Sequence, residues 1–375
     1  MTVDSDADEW NDKGNVLYRL GKYDEAIKCY DKAIKIDPKK IFPKKNKGLA
    51  LYNLRKYDEA IKYFEKVIDI DPSYASAWND KGNALHNLKK YDEAMECYDK
   101  AIELDPNFKW AWLNKGIALY NKREYEETIK SCNKTIELNP NYVDAWIQKG
   151  NALYMLGKHD EAIECYDRAI KLNSNSMLAW NNKGTVLRIK DKHDLAIECF
   201  DKALEIEPSY ASAWANKGDS LQAIGNLSEA EKCFNESINL NLKNIKTLDF
   251  MDKISLAENL VKVKRCEEGR KYLLHGLNQT RDSVDQCGIR FLVLSSYFLE
   301  DDSTDCAREF ASFLEYYRNL KEDFKVKKEY WDFIGLINVI SKGNSDLQTK
   351  FLLLNLIDLL QGKIDRSKLS FFHSF

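Results

Sequence analysis

The feature that most constrains this chain is a 34-residue clock running through most of its 375 residues. Apart from Pro43, the prolines stand at Pro38, Pro72, Pro106, Pro140 and, after one skipped period, Pro208. Tryptophans keep the same interval at Trp10, Trp78, Trp112, Trp146, Trp180 and Trp214, with Lys44 in the missing place. Glycines follow four residues later at Gly14, Gly48, Gly82, Gly116, Gly150, Gly184 and Gly218. Three residue types in one phase define units 7–40, 41–74, 75–108, 109–142, 143–176, 177–210 and 211–244. Segments this short bury too little surface to fold alone, so the period demands a stacked array instead of separate domains.

Within the third unit, Ala77, Trp78, Leu85 and Leu88 fall at helical spacing, and Ala94, Tyr98, Ala101 and Ile102 repeat the pattern in a second run. Each unit is therefore expected to be a helical hairpin. Pro106 follows the second run, where it removes no internal helical hydrogen bond, and Gly82 and Ala94 let the paired helices approach closely. The whole chain holds only 16 Gly and 6 Pro, thin punctuation for a turn-rich fold. The expected class is all-α, a right-handed superhelical solenoid of stacked hairpins with a helical C-terminal cap.

The recurrence of Trp78, Gly82, Leu85, Tyr91, Ala94, Tyr98, Ala101 and Pro106 resembles the tetratricopeptide repeat family. Departures are local: Lys44 for Trp, Thr128 and Thr135 for small alanines, and Ser174 and Leu242 for Pro. They are expected to weaken individual helix contacts or linkers without changing the class. The resemblance implies that the first helix of each unit lines a concave face, through its second, fifth, sixth, ninth, twelfth and thirteenth residues. The lysine before each repeated glycine, from Lys13 to Lys217, is in another phase and is expected to face solvent.

In that lining, Asn79, Asn83 and Asn114 offer directional hydrogen bonds, and Tyr120 and Tyr154, with Tyr18, Tyr52 and His86, offer stiff aromatic contacts. Trp110, Leu113, Ile117, Ile147 and Leu178 occupy lining places where polar residues are normal, which predicts an apolar anchor flanked by polar contacts. The alternative is that these residues tighten the superhelix or meet the C-terminal region. Relatives that hold a C-terminal carboxylate do so with basic residues in their third repeat; here Ser76 and Asp80, or Asp144 and Gln148, stand instead. A chaperone-tail clamp is not expected, because a carboxylate there would lack compensation.

Beyond residue 244 the clock fails. A degenerate eighth hairpin is expected over 245–279, and a helical cap or a distinct domain over 280–375, with helices near 289–298, 306–320, 328–340 and 347–360. Residues 1–6 read as a tail.

The balance of 57 basic and 60 acidic side chains gives no footprint for nucleic acid. The N-terminal segment lacks the basic and apolar stretches of an export signal, and the apolar stretch 351–360 is too short to span a bilayer, so a cytoplasmic location is expected. Cys29, Cys97, Cys165, Cys199 and Cys233 recur in one phase as small apolar residues, in places about 10 Å apart between stacked helices, which predicts thiols and not disulfides. No compact metal spacing joins the five histidines, and no phosphate loop or nucleophile elbow is present, so neither catalysis nor a cofactor is expected. The implied function is a non-catalytic scaffold or adaptor binding a protein segment or peptide in its groove. A sensor working through a distinct C-terminal domain, or a structural subunit of an assembly, stays open.

Overall fold

The computed structural model describes residues 3–279 together with Val293. Every element among the described residues is an α-helix, and the helices come in antiparallel pairs. The first five pairs are α1 (Val3–Arg19) with α2 (Tyr23–Ile36), α3 (Ile41–Asn53) with α4 (Tyr57–Ile70), α5 (Ala75–Asn87) with α6 (Tyr91–Leu104), α7 (Lys109–Asn121) with α8 (Tyr125–Leu138), and α9 (Val143–Met155) with α10 (His159–Leu172). Then follow α11 (Met177–Ile189) with α12 (His193–Ile206), α13 (Ala211–Ala223) with α14 (Leu227–Lys243), and α15 (Phe250–Lys262) with α16 (Cys266–Gln279). Helix α1 begins at Val3, inside the stretch read from sequence as a tail. Contacts divide the chain into two units, 1–174 and 175–375. The expectations for 280–375 lie outside the described residues, apart from Val293, which is helical and buried.

One backbone device closes every hairpin. The second residue after the first helix is left-handed at Gly21, Arg55, Lys89, Arg123, Gly157, Asp191, Gly225 and Lys264, with φ between 56° and 85°. The next amide reaches back five residues, as Lys22 N does to Leu17 O at 2.9 Å, which satisfies a carbonyl that the ending helix would leave unpaired. The second helix then starts with carboxylates such as Asp24 and Glu25, favourably placed at its positive end. It ends on an extended residue such as Asp105, whose carboxylate accepts the Asn107 amide at 3.0 Å and turns the chain into the next unit. Where Leu242 replaces proline, α14 runs for 17 residues against 14 in α12.

Within a hairpin, glycine opposes an aromatic ring. A Cβ built on Gly82 would lie 2.6 Å from the Tyr98 ring, and Gly14, Gly48, Gly150, Gly184 and Gly218 meet Tyr30, Phe64, Tyr166, Phe200 and Phe234 in the same way. The fourth hairpin differs: Cys132 takes the aromatic place, and a Cβ on Gly116 would find Ser131 and Cys132 no nearer than 3.3 Å. Thr128 and Thr135, both fully buried, refill part of that space. Their hydroxyls donate to Glu124 O at 3.0 Å and Ser131 O at 3.1 Å, so neither is an unsatisfied group weakening the contact.

Lysines at two repeat places also differ from their sequence reading. Trp78, Trp112, Trp146 and Trp214 each donate their indole N–H to the carbonyl of the proline six residues earlier, at 2.9–3.0 Å. Buried Lys44 keeps this bond, donating through Nζ to Pro38 O and, at 3.0 Å, to Lys40 O. Of the lysines before the repeated glycines, Lys13 is exposed as expected, whereas Lys47, Lys81, Lys115 and Lys217 pair with Asp31, Glu65, Asp99 and Asp201 on the second helix of the preceding hairpin. The paired lysine side chains are only 12–23% exposed, and the ammonium groups of Lys47, Lys81 and Lys217 also lie 4.5, 5.9 and 5.8 Å from the ring centres of Tyr63, Trp78 and Trp214.

Candidate functional site

In the first unit, α1, α3, α5, α7 and α9 touch one another directly across successive hairpins, so the first helices share one face. Two ladders of polar side chains cross that face. In one, the sixth residue of a repeat reaches the fifth of the repeat before it: Asn46 Nδ2 donates to Asn11 Oδ1 at 3.0 Å, and Asn114 Nδ2 to Asn79 Oδ1 at 2.9 Å. In the other, a thirteenth residue reaches a twelfth. Asn53 and Asn87 donate to the Tyr18 and Tyr52 hydroxyls at 2.7 and 2.8 Å, and Asn121 bonds His86 Nε2 at 2.7 Å.

Both ladders end at the same boundary. Between α7 and α9, the register sets Gln148 against Leu113, which offers no acceptor, and Met155, which has no donor, at the place where Asn53, Asn87 and Asn121 supply one. Leu113 and Ile147 are 4% and 7% exposed, Ile117 is half-buried, and Trp110 beside them is 44% exposed. The Trp110 ring meets Tyr142 edge-on at 5.1 Å, and Lys109 Nζ lies 5.2 Å from its centre. The exposed indole is thus braced by Tyr142 and Lys109.

The other sequence-predicted residues are placed as follows. Asn79, Asn83 and Asn114 are committed to the scaffold itself, Asn83 Oδ1 accepting the Tyr98 hydroxyl at 2.9 Å. Tyr120 meets Tyr125 edge-on and Tyr154 meets His159 with tilted rings, with centroids 5.4 and 5.9 Å apart. Leu178 belongs to the second unit, where it is 45% exposed, and is not among the residues that the first unit brings together.

Asp80 also belongs to this face, and sequence reasoning noted it only as an obstacle to a carboxylate clamp. It holds the sixth place of its repeat, which is Asn46, Asn114, Asn182 and Asn216 in four other repeats, Gln148 in one and the exposed Asp12 in the first, so the exchange was readable from register alone. Its side chain is 14% exposed. Oδ2 lies 3.8 Å from Lys45 Nζ and 3.5 Å from Ser76 Oγ, and Oδ1 lies 3.4 Å from Asn79 Nδ2. Burial raises the Asp80 carboxyl above the usual carboxylate range, against the opposing pull of Lys45, Asn79 and Ser76. Among the described residues no group of three or more His, Cys, Asp or Glu side chains is placed to hold a metal ion, and no helix is long and apolar enough to cross a membrane.

Helical hairpins in a fixed register, with a shared face of first helices in the first unit and no sheet among the described residues, define a helical-repeat scaffold of the protein-binding kind. The chain belongs to the tetratricopeptide repeat family: one tetratricopeptide-repeat family model matches residues 7–40, 44–74, 75–108, 110–142, 143–176 and 178–210, and a second matches 199–232. Among solved structures, a chain of the APC/C hetero-tetramer Cut9–Hcn1 is similar at 19% identity, covering 76% of this chain and 54% of that one with a TM-score of 0.54. The pilF protein of Pseudomonas aeruginosa is similar at 18% identity, over 56% of this chain and 96% of that one, with a TM-score of 0.50. MamA is similar at 27% identity, over 46% of this chain and 94% of that one, with a TM-score of 0.41. No curated protein matches the chain.

Proposed function

We propose that the protein is a non-catalytic scaffold that holds a peptide segment of a protein partner on the first-helix face of residues 1–174, anchored at Trp110, Leu113, Ile117 and Ile147. The observation carrying this reading is the joint interruption of both polar ladders beside a 44% exposed tryptophan. At the earlier boundaries of this unit the first helices are joined by side-chain hydrogen bonds or by the Lys45–Asp80 ion pair; here buried apolar side chains stand beside an exposed, oriented aromatic, the kind of residue that anchors interface hot spots. Tyr120 and Tyr154 flank the anchor, and Asn79, Asn83 and Asn114 keep its polar border in shape. The same reading gives the protein a cytoplasmic setting, supported by Cys29, Cys97, Cys165 and Cys233 acting as buried, unbridged packing residues. A partner's C-terminal carboxylate is disfavoured, because Asp80 stands in its way.

The test uses residues that the chain already tolerates in the same register. Trp110→Ser copies Ser76, and Leu113→Asn copies Asn79, which restores a rung toward Gln148. The double variant is expected to bind peptide at least about tenfold more weakly, as loss of one buried anchor implies, with an unchanged circular dichroism spectrum. Undiminished binding would remove the anchor; a collapse of stability instead would make these residues packing elements.

A further inference from the structure

Among the described residues, Asp80 is the one sixth-place carboxylate of the array that is mostly buried, and the polar atoms facing it lie at 3.4, 3.5 and 3.8 Å, beyond the ordinary hydrogen-bond length. Its nearest cation is otherwise engaged: Lys45 Nζ donates to Ser76 Oγ at 2.8 Å, approaches the Tyr74 hydroxyl at 3.4 Å, and lies 5.1 Å from the Tyr74 ring centre. At Asn46, Asn114 and Asn216 this register holds an asparagine that donates at 2.9–3.0 Å to side-chain oxygens of the preceding repeat, whereas Asp80 faces Lys45, the one cation at the fifth place of the seven repeats. Asp80 is thus a desolvated charge whose matching cation sits 3.8 Å away and is held on Ser76. A buried carboxylate left with only long contacts keeps acceptor capacity for a further donor.

We propose that Asp80 receives a cationic side chain, arginine or lysine, of the bound segment, so that the partner of this groove is a peptide pairing a basic residue with an apolar one. This rests on the reading of Trp110 and Leu113 as the apolar anchor. Asp80 and Leu113 sit on the adjacent helices α5 and α7, whose axes are about 10 Å apart. An extended chain covers that distance in about three residues at roughly 3.3 Å each. The required motif is therefore an apolar residue and a basic residue separated by two others. A guanidinium would supply Asp80 with short, charge-assisted bonds in place of its present long ones, and Lys45 can stay on Ser76.

The experiment measures fluorescence-anisotropy affinities of the full chain for labelled, terminally blocked peptides in which leucine and arginine are separated by two serines, in both chain directions. Matched peptides carry glutamine or glutamate in place of arginine. The arginine peptide is expected to bind about tenfold more tightly than the glutamine peptide, and the glutamate peptide more weakly than both. Asp80→Asn is expected to erase the preference for the arginine peptide over the glutamine peptide, with an unchanged circular dichroism spectrum. Equal affinities of wild type for arginine and glutamine peptides, or an arginine preference that survives Asp80→Asn, would overturn the assignment. A glutamine peptide whose binding still needs Trp110 and Leu113 would in that case leave the groove reading standing. If none of the peptides binds wild type, the groove reading falls and this inference with it.

Discussion

A single atom decides whether a repeat position is interchangeable. Gly82 and Gly116 hold the same place in consecutive repeats, yet an added Cβ meets the Tyr98 ring at 2.6 Å in one and only Ser131 and Cys132, no nearer than 3.3 Å, in the other. Tyr98 is fully buried and hydrogen-bonded to Asn83, so its ring cannot swing aside without losing that bond. Gly82→Ala is expected to destabilise by about 1–3 kcal/mol through overpacking. Gly116→Ala is expected to cost less than Gly82→Ala, because its Cβ asks Ser131 to give by only a few tenths of an ångström while alanine gains up to about 1 kcal/mol of helix propensity over glycine. Urea unfolding of the two variants side by side checks the order. Equal losses would mean that the fourth hairpin is packed as tightly as its neighbours, contrary to the exchange of an aromatic for Cys132.

At the scale of elements, charge fastens α15 to α13. Lys262 has a side chain only 2% exposed, with Nζ 2.6 Å from Asp219 and 2.7 Å from Glu258. Burial pulls its pKa down, but the two carboxylates outweigh this and hold it above the usual lysine value. The ammonium is thus charged at every ordinary pH, and Asp219 takes the ninth place of its repeat, where Asn83 and Asn151 bond a tyrosine hydroxyl. Lys262→Met is expected to cost about 3–5 kcal/mol by leaving Asp219 poorly compensated, and adding Asp219→Asn is expected to recover much of the loss. Chemical unfolding of the single and double variants measures the coupling; simple additivity would reduce the contact to incidental proximity.

The hairpins themselves were legible because proline, tryptophan and glycine punctuate each one locally. The ladders were not, since each rung joins residues 35 apart, such as Asn79 and Asn114, whose partnership exists only after stacking. Lys44 shows the same limit: sequence marks it as a missing tryptophan, and only the fold shows Nζ on the Pro38 carbonyl. The anchor residues Trp110, Leu113 and Ile147 stood out as register departures, whereas the commitment of the asparagines to the scaffold required geometry.

For the molecule as a whole, repeats that pack on their nearest neighbours make stability a sum of local terms, so a run of intact hairpins is expected to fold without the rest. Residues 1–174 form one of the two units and contain five complete hairpins, together with Trp110, Leu113, Ile147 and Asp80. A fragment of residues 1–174 is therefore expected to keep its helical circular dichroism and to unfold with a smaller urea dependence than the full chain, in proportion to the smaller surface it exposes. Its affinity for the arginine peptide is expected to stay within about threefold of the full chain's, less than the ~1.4 kcal/mol of a tenfold change. Leu178 is the one anchor candidate outside the fragment, so this measurement also decides its part. A folded fragment that has lost the peptide would assign Leu178, or another residue beyond 174, a share of the binding energy; a fragment that binds like the full chain confines recognition to the first unit and leaves the second for another task.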